Sequence, residues 1–504
     1  MIASHVARRF HSGERYLTIH YREIICNCLI DSKSYRAGCN IFNANHRKDV
    51  SAEKVPLATF INDIIQEGLS LIRAKRDTAV QILEYHGFDG KTGLYKGNSL
   101  PEIYQNHKPT TTTVDPDGLL GTIVNNWDPS NPLLEEAPND FFAQISSDEG
   151  DDTSEESSSN APEYSEPDTD PVILKPRNRN RHRTVVPSED IPSILENYLQ
   201  WRNSQENMHH LCKILHSWEL ETNPSEVVYI MADAVYVKEQ AKKHIKGGKI
   251  LKEKPDRITH WNIKVEWDNK ESYIVTDENI DQSFQQLIAF LLKNGLITRY
   301  MIFFTDGELQ IFDIIDKYFS FWNYTIYLDY AHLEKKCYDL LSKGIKSERL
   351  NDPRKEPEYY KRGPNKGAPR KVKKTSLSVL YTRRLTSILW AGNVEEAKQY
   401  LRGLNPKVIT DMNSIEQLLT YFENKGKYIT SYALRKRVGL RNSSNGVEAV
   451  NNTIVANDQK ISNKAYRTNG SHAAASIEAA KSNRELDAWF AKRMFSFEYV
   501  TSPA

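Results

Sequence analysis

Thr325-Ile-Tyr-Leu-Asp329-Tyr-Ala-His332-Leu-Glu-Lys-Lys-Cys337 opens on β-branched and bulky apolar residues and then breaks on a carboxylate. The opening residues read as a strand. Asp329 then either caps the helix that follows, as Asp commonly does, or presents chemistry at the end of a strand. The surrounding sequence shows what such a strand would belong to. Leu309–Phe319 has helical spacing, and Arg299-Tyr-Met-Ile-Phe-Phe-Thr305 is a continuous apolar run that stops at Asp306-Gly307. Gln282–Asn294 is helical. His260–Trp267 alternates like a half-exposed strand, with Ser272–Thr276 as its hairpin partner. Glu226-Val-Val-Tyr-Ile-Met-Ala-Asp233 is a further strand, which Ala234–Val237 could continue. Strand, hairpin, helix, strand, helix, strand, helix is the order of a mixed α/β layer.

Three strands of this block end on aspartate: Asp233, Asp306 and Asp329. In open α/β sheets ligands gather beyond the carboxyl ends of the strands, where loops vary without disturbing the core. A single strand-terminal Asp is most simply a helix cap. Three in one sheet is a different matter, because carboxylates brought together repel unless a cation holds them. Hard oxygen donors suit Mg²⁺ or Mn²⁺, and two such ions about 4 Å apart support phosphodiester chemistry. On these residues alone the pattern predicts a metal-dependent phosphoryl-transfer enzyme.

At 504 residues the chain predicts two or three domains. Its formal net charge of +1 hides local asymmetry. Residues 145–170 carry an Asp/Glu/Ser-rich run with too little apolar surface to fold, and Lys175-Pro-Arg-Asn-Arg179-Asn-Arg181-His-Arg183 follows as a basic arm. That arm is either a solvated linker or a flexible contact for a DNA minor groove. Arg354–Lys374 is a second basic stretch, containing Lys366, Arg370, Lys371, Lys373 and Lys374. Its density favours phosphate contact over a solvated loop. Pro56–Tyr85 and Ser193–Trp218 have helical apolar spacing. No apolar run reaches the roughly 18–20 residues of a membrane helix. The five cysteines form no evident disulfide framework. Cys26, Cys28 and Cys39 lie near His20 and His46, but their spacing matches no closed zinc pattern.

Phe303-Phe-Thr-Asp306-Gly307, Leu328-Asp329-Tyr-Ala-His332-Leu-Glu-Lys-Lys-Cys337 and Leu440-Arg-Asn-Ser443-Ser-Asn-Gly-Val-Glu448-Ala-Val-Asn451 occur in that order. Together they resemble insertion-sequence transposases of the DDE superfamily, related to the Mutator-like group. The family's third block reads approximately Ser-Ser-Asn-x-Val-Glu-x-x-Asn and opens a helix carrying the third acid. The likeness runs from about Val227 to Phe490. It implies a ribonuclease-H-like mixed sheet with a large helical insertion, preceded by helical N-terminal regions. It implies that Asp233, Asp306 and Glu448 are the catalytic acids and hold Mg²⁺ or Mn²⁺, with two ions at the site. Asp329-x-x-His332 would support the site. The departures are Ala449 where the family has Lys, and Asp458, Asn463-Lys464 and Tyr466 where it has Arg, Gly-Met and Trp.

The organisation expected is a helical region over 1–115, an acidic then basic linker over 116–185, and a helical DNA-binding segment over 186–225. A ribonuclease-H-like core over 226–340 follows, then a helical, basic insertion over 341–440 and the Glu448 helix with the C-terminal end over 441–504. The implied function is a transposase that binds double-stranded DNA, both element ends and target, and catalyses strand cleavage and transfer as a homo-oligomer. Arg179, Arg181, Lys366, Arg370, Lys371, Lys373, Lys374, Arg435, Arg437 and Arg441 are the expected DNA contacts, the last three approaching the Glu448 helix. The expected location is cytoplasmic, on a bacterial-type nucleoid, with no membrane association. The other readings are a non-catalytic DNA-binding descendant of a transposase and a different ribonuclease-H-like nuclease such as a junction resolvase. The large insertion and the Ser443–Glu448 block count against the latter.

Overall fold

The computed structural model describes residues 19–32, 34–45, 54–105, 224–240, 243–246, 249–252, 256–268, 271–350, 375–437, 440–456, 459–460 and 466–499. The acidic segment, both basic stretches and the Ser193–Trp218 helix lie outside the described residues, as do Arg179, Arg181, Lys366, Arg370, Lys371, Lys373 and Lys374.

The chain is mixed α/β. Its main sheet has the order β5-β4-β1-β6-β7. Strand β1 (Val227–Lys238) pairs antiparallel with β4 (Arg257–Trp267), which pairs antiparallel with β5 (Glu271–Asp277). On its other side β1 is parallel to β6 (Tyr300–Thr305), and β6 is parallel to β7 (Tyr324–Leu328). A short antiparallel ribbon, β2 (Lys243–Lys246) and β3 (Lys249–Lys252), lies between β1 and β4 in sequence. Every residue of β6 is buried, as expected for a parallel strand covered on both faces.

The parallel strands need crossover helices. Helix α4 (Ile280–Lys293) carries the chain from β5 to β6, and α5 (Leu309–Phe319) carries it from β6 to β7. Asn279 caps α4 by accepting from the Gln282 N–H. The hairpin and crossover helices follow the periodicity read from sequence, with ends shifted by a residue or two. Strand β1 differs. Its pairing with β6 reaches Met231↔Phe304, whereas its pairing with β4 runs on to Lys238↔Arg257. Asp233 therefore lies inside a strand instead of ending one, because the hairpin partner outlasts the parallel one.

Helix α6 (Tyr330–Gly344) follows β7. After a two-residue pairing of β8 (Arg349–Leu350) with β9 (Thr375–Ser376) come α7 (Leu377–Trp390), α8 (Val394–Arg402), α9 (Met412–Lys425) and α10 (Tyr432–Arg437). The breaks expected at Gly392 and Pro406 fall between these helices. The chain then returns to the sheet as α11 (Asn445–Val450), which continues as a π-helical turn over Asn451–Ala456. It ends in α12 (Thr468–Ser482) and α13 (Leu486–Lys492).

The N-terminal helices α1 (Ile19–Ser32), α2 (Tyr35–Asn45) and α3 (Leu57–Tyr85) join the same hydrophobic cluster as the sheet. Helix α3 packs on α12 and α4. At Gly68 the backbones come so close that an added Cβ would stand 2.5 Å from the Ala473 Cβ. Cys26, Cys28 and Cys39 are buried free thiols in this cluster, and burial raises all three above the usual thiol range. No helix among the described residues is long and apolar enough to cross a membrane.

Candidate active site

The register of the parallel strands lines up the aspartates. Strands β1 and β6 pair with an offset of 304 − 231 = 73, and β6 and β7 with an offset of 328 − 305 = 23. Carrying each ladder forward puts Asp306 opposite Asp233 (233 + 73) and Asp329 opposite Asp306 (306 + 23). The Asp329 N–H donates to the Thr305 carbonyl at 2.8 Å, so the chain still follows β6 at that point. Neighbouring strands stand about 4.8 Å apart. Three aspartates thus share one row across adjacent strands.

Side chains of a strand alternate between faces, so Asp233, Asp306 and Asp329 share a face with Met231, Phe304 and Tyr327. Those three apolar residues form a buried cluster with Val447 of α11. The helix bearing Glu448 therefore lies over the face of the sheet that carries the aspartate row. The approach is close: a Cβ on Gly446 would meet the Met231 Sδ at 2.8 Å and the Glu266 Oε1 at 3.1 Å. That contact explains a glycine in the helix's first turn.

Asp329 takes the capping role its sequence raises and adds a second anchoring contact. It caps α6, with its Oδ1 accepting from the His332 N–H at 3.1 Å and standing 3.3 Å from His332 Nδ1. Its Oδ2 accepts from the Ser444 N–H at 2.5 Å and the Ser444 hydroxyl at 2.9 Å. At 1 % exposure with both oxygens engaged, it anchors the start of α11 to the end of β7. Burial would raise its carboxyl, but His332 and the Ser444 N–H hold it below the usual range.

The remaining acids are half-buried and feel one another. Burial, then Asp306, and further on Glu448, push Asp233 up to about 6. Glu448 is raised by burial and by Asp329, against the pull of His332 and Lys335. Glu308, two residues after Asp306, is raised by burial and by Asp306. Burial would lower His332, but its hydrogen bond to Asp329 and the charges of Asp329, Asp233 and Asp306 lift it to about 9. The site is thus a set of acids around one imidazolium. Among the described residues no three His, Cys, Asp or Glu side chains gather closely enough to hold one ion. The acids act on one another through their charges across that face.

The structure separates the arginines expected at DNA. Arg435 is a correction: it is fully buried, lies 4.3 Å from the centroid of the Tyr327 ring and donates to the Arg441 carbonyl at 2.7 and 3.1 Å. Its guanidinium organises the loop before α11, and burial leaves none of it for phosphate. Arg441 pairs with Glu266 and sits 4.9 Å from the centroid of the Tyr229 ring, binding the same loop to the sheet. Arg437 ends α10, and its side chain lies outside the described residues.

Several neighbours of the site carried no role in the sequence reading. Glu308 follows Asp306-Gly307 directly, and Lys335 is exposed on α6 one turn from His332. Asn262 is a polar residue on a largely buried strand, fully buried opposite Asp233 in the β1–β4 register. Its polar place in the alternation of His260–Trp267 gave no signal of burial. No protein-family model, curated protein or solved structure matches this chain.

Proposed function

We propose that the chain is a DDE transposase that binds double-stranded DNA ends and cuts and joins them with the help of Mg²⁺ or Mn²⁺. The observation that carries the reading is the register of Asp233 and Asp306 in one row across parallel strands, under the helix that bears Glu448, with Asp233 raised to about 6 by burial and its acidic neighbours. The sheet order, an antiparallel trio continued by two parallel strands, is compatible with the ribonuclease-H-like core implied by the resemblance.

The donor set suits a hard divalent cation, since all three groups are carboxylates and a positive charge would relieve their repulsion. Asp233, Asp306 and Glu448 would hold it. When bound, such ions activate an attacking hydroxyl and neutralise the leaving oxygen in phosphodiester displacement. Asp329 and Ser444 hold the Glu448 helix over the row, and Lys335 places a positive charge beside Glu448 for a DNA phosphate. The basic stretch with Lys366, Arg370, Lys371, Lys373 and Lys374 and the arm with Arg179 and Arg181 would carry further phosphate contacts. Pairing two DNA ends would call for a homo-oligomer.

Incubation with a matched element end and Mg²⁺ or Mn²⁺ tests the proposal. The expected result is a nick at the element boundary that exposes a 3′-hydroxyl. Asp306→Asn keeps shape but removes charge, and should abolish nicking while DNA affinity stays nearly unchanged. Normal nicking by Asp306→Asn overturns the assignment. The alternative, a binding-only descendant, rests on the departures around Asp458 and Tyr466. It prevails if the wild type holds the end tightly and never cuts it with either metal.

A further inference from the structure

Helix α11 is attached to the sheet at both ends. At its start, Ser444 hangs from Asp329. At its end, Asn451 Nδ2 donates to Asp233 Oδ2 at 2.6 Å. Asn451 lies three residues after Glu448, so both occupy the same side of the turn. One hydrogen bond therefore connects the turn bearing the third acid to the first acid.

The orientation of this bond is dictated by chemistry. An ionised carboxylate only accepts hydrogen bonds, so the Asn451 amide must offer Asp233 its NH₂ group. The Asn451 carbonyl oxygen is then left facing inward, where Asn262 Nδ2 donates to it at 2.7 Å. Asn262 is fully buried and Asn451 is 7 % exposed. Donation runs in one direction: Asn262 to Asn451 to Asp233. Flipping the Asn451 amide would set oxygen against carboxylate and nitrogen against nitrogen, losing both bonds.

The backbone changes at the same residue. The α-helix ends at Val450, and the π-helical turn begins at Asn451. Single π-helical turns re-aim side chains and often occur at functional sites. Here the turn widens where Asn451 reaches Asp233, and Ile454 and Val455 pack beside Val235 and Val237 of β1.

We infer that Asn451, held by Asn262, is a positioning residue that sets the Asp233 carboxylate against Glu448 for metal binding. This rests on the reading of those acids as metal-holding. Asn451 occupies one oxygen of Asp233 and fixes the spacing between two acids that repulsion would otherwise push apart.

The test compares wild type with Asn451→Ala and with Asn451→Asp, the latter equal in size but unable to donate when ionised. Each protein is measured for melting temperature, for Mn²⁺ affinity by titration calorimetry, and for kcat and KM on an element end. Removal of a residue that orients a metal ligand weakens affinity or activity by about 10–100-fold. Both variants are therefore expected to bind Mn²⁺ and turn over 10–100-fold less well, with KM for DNA unchanged because no DNA contact is removed. Unchanged Mn²⁺ affinity and kcat in a folded Asn451→Asp overturns the inference, even if the melting temperature drops, and leaves the assignment of the acids standing. Should Asn451→Ala fail to fold, Asn451→Asp decides alone. A wild type that neither binds Mn²⁺ nor cuts DNA overturns the assignment of the acids, and the inference with it.

Discussion

Glu67 in α3 and Asp233 in β1 are both withdrawn from bulk water, with opposite consequences. The Glu67 carboxylate is 1 % exposed and accepts from Arg22 at 2.5 Å, from the Trp489 indole at 2.7 Å and from Arg493. Burial would raise it, but Arg493 and Arg22 hold it below the usual range. Asp233 accepts from the neutral Asn451 amide, and burial and Asp306 outweigh His332 and the Ala234 N–H, so that it rises to about 6. The N-terminal network sets one carboxylate against two guanidinium groups and ties α1, α3 and the end of α13 together. The aspartate row sets several carboxylates against the one His332 imidazolium and leaves negative charge in excess. Buried negative charge in excess costs stability, and acids raised in this way cluster at functional sites.

The strongest way to break this comparison is to cut the matched network. Glu67→Gln leaves Arg22 and Arg493 facing a neutral amide, and breaking such a pair from one side costs about 3 kcal/mol or more. Urea unfolding should show that loss. A loss below about 1 kcal/mol would mean the network contributes no more than a surface pair.

Asp233→Asn probes the other side with the opposite sign. Because the folded-state carboxyl of Asp233 is raised to about 6, its contribution is fully present below about pH 4 and is lost as pH rises through 6. The Asn variant does not titrate. Its stability should match wild type at pH 4 and exceed it at pH 8, by about 1–2 kcal/mol after allowance for solvent screening. Thermal unfolding across pH 4–8 measures the difference. A variant less stable than wild type at pH 8 would show that Asp233 is structural in the manner of Glu67.

The smallest effect is expected at Arg402 and Glu423, which pair at 3.4 Å with side chains 55 % and 54 % exposed. Replacing both by Ala should leave the melting temperature unchanged, because exposed pairs contribute almost nothing net. A clear drop there would remove the basis for separating matched burial from mere proximity.

Strand and helix types around the site were legible from periodicity. Burial of one face or both leaves a repeat of two, a repeat of 3.6 or an unbroken apolar run in the chain itself. The helix opening near Glu448 was implied only by the resemblance, whereas Arg299–Thr305, Thr325–Leu328 and Leu309–Phe319 were read this way. So was the presence of acids where β6 and β7 end. Asp233 was misplaced as a strand end because Val235 and Val237 are buried by α11, the π turn and α12, elements from the other end of the chain. Arg435 was misjudged for a related reason. Its local sequence, Arg435-Lys436-Arg437, is that of a basic surface, and only the docking of α10 against Phe304 and Tyr327 encloses it.

By itself, the sequence determined which residues are shielded from water along each element, because that information is local and periodic. It also held the number 73 as the spacing of two aspartates, without showing that the spacing was a register. Tertiary structure alone decided that β1 and β6 pair with that offset, so that a sequence interval becomes adjacency. It alone brought α11 over the same face and closed the chain from Asn262 through Asn451 to Asp233 across 189 and 218 residues. Strand register and helix docking are settled by side chains packing across the whole chain, and no local pattern encodes contacts that are absent until the chain has folded.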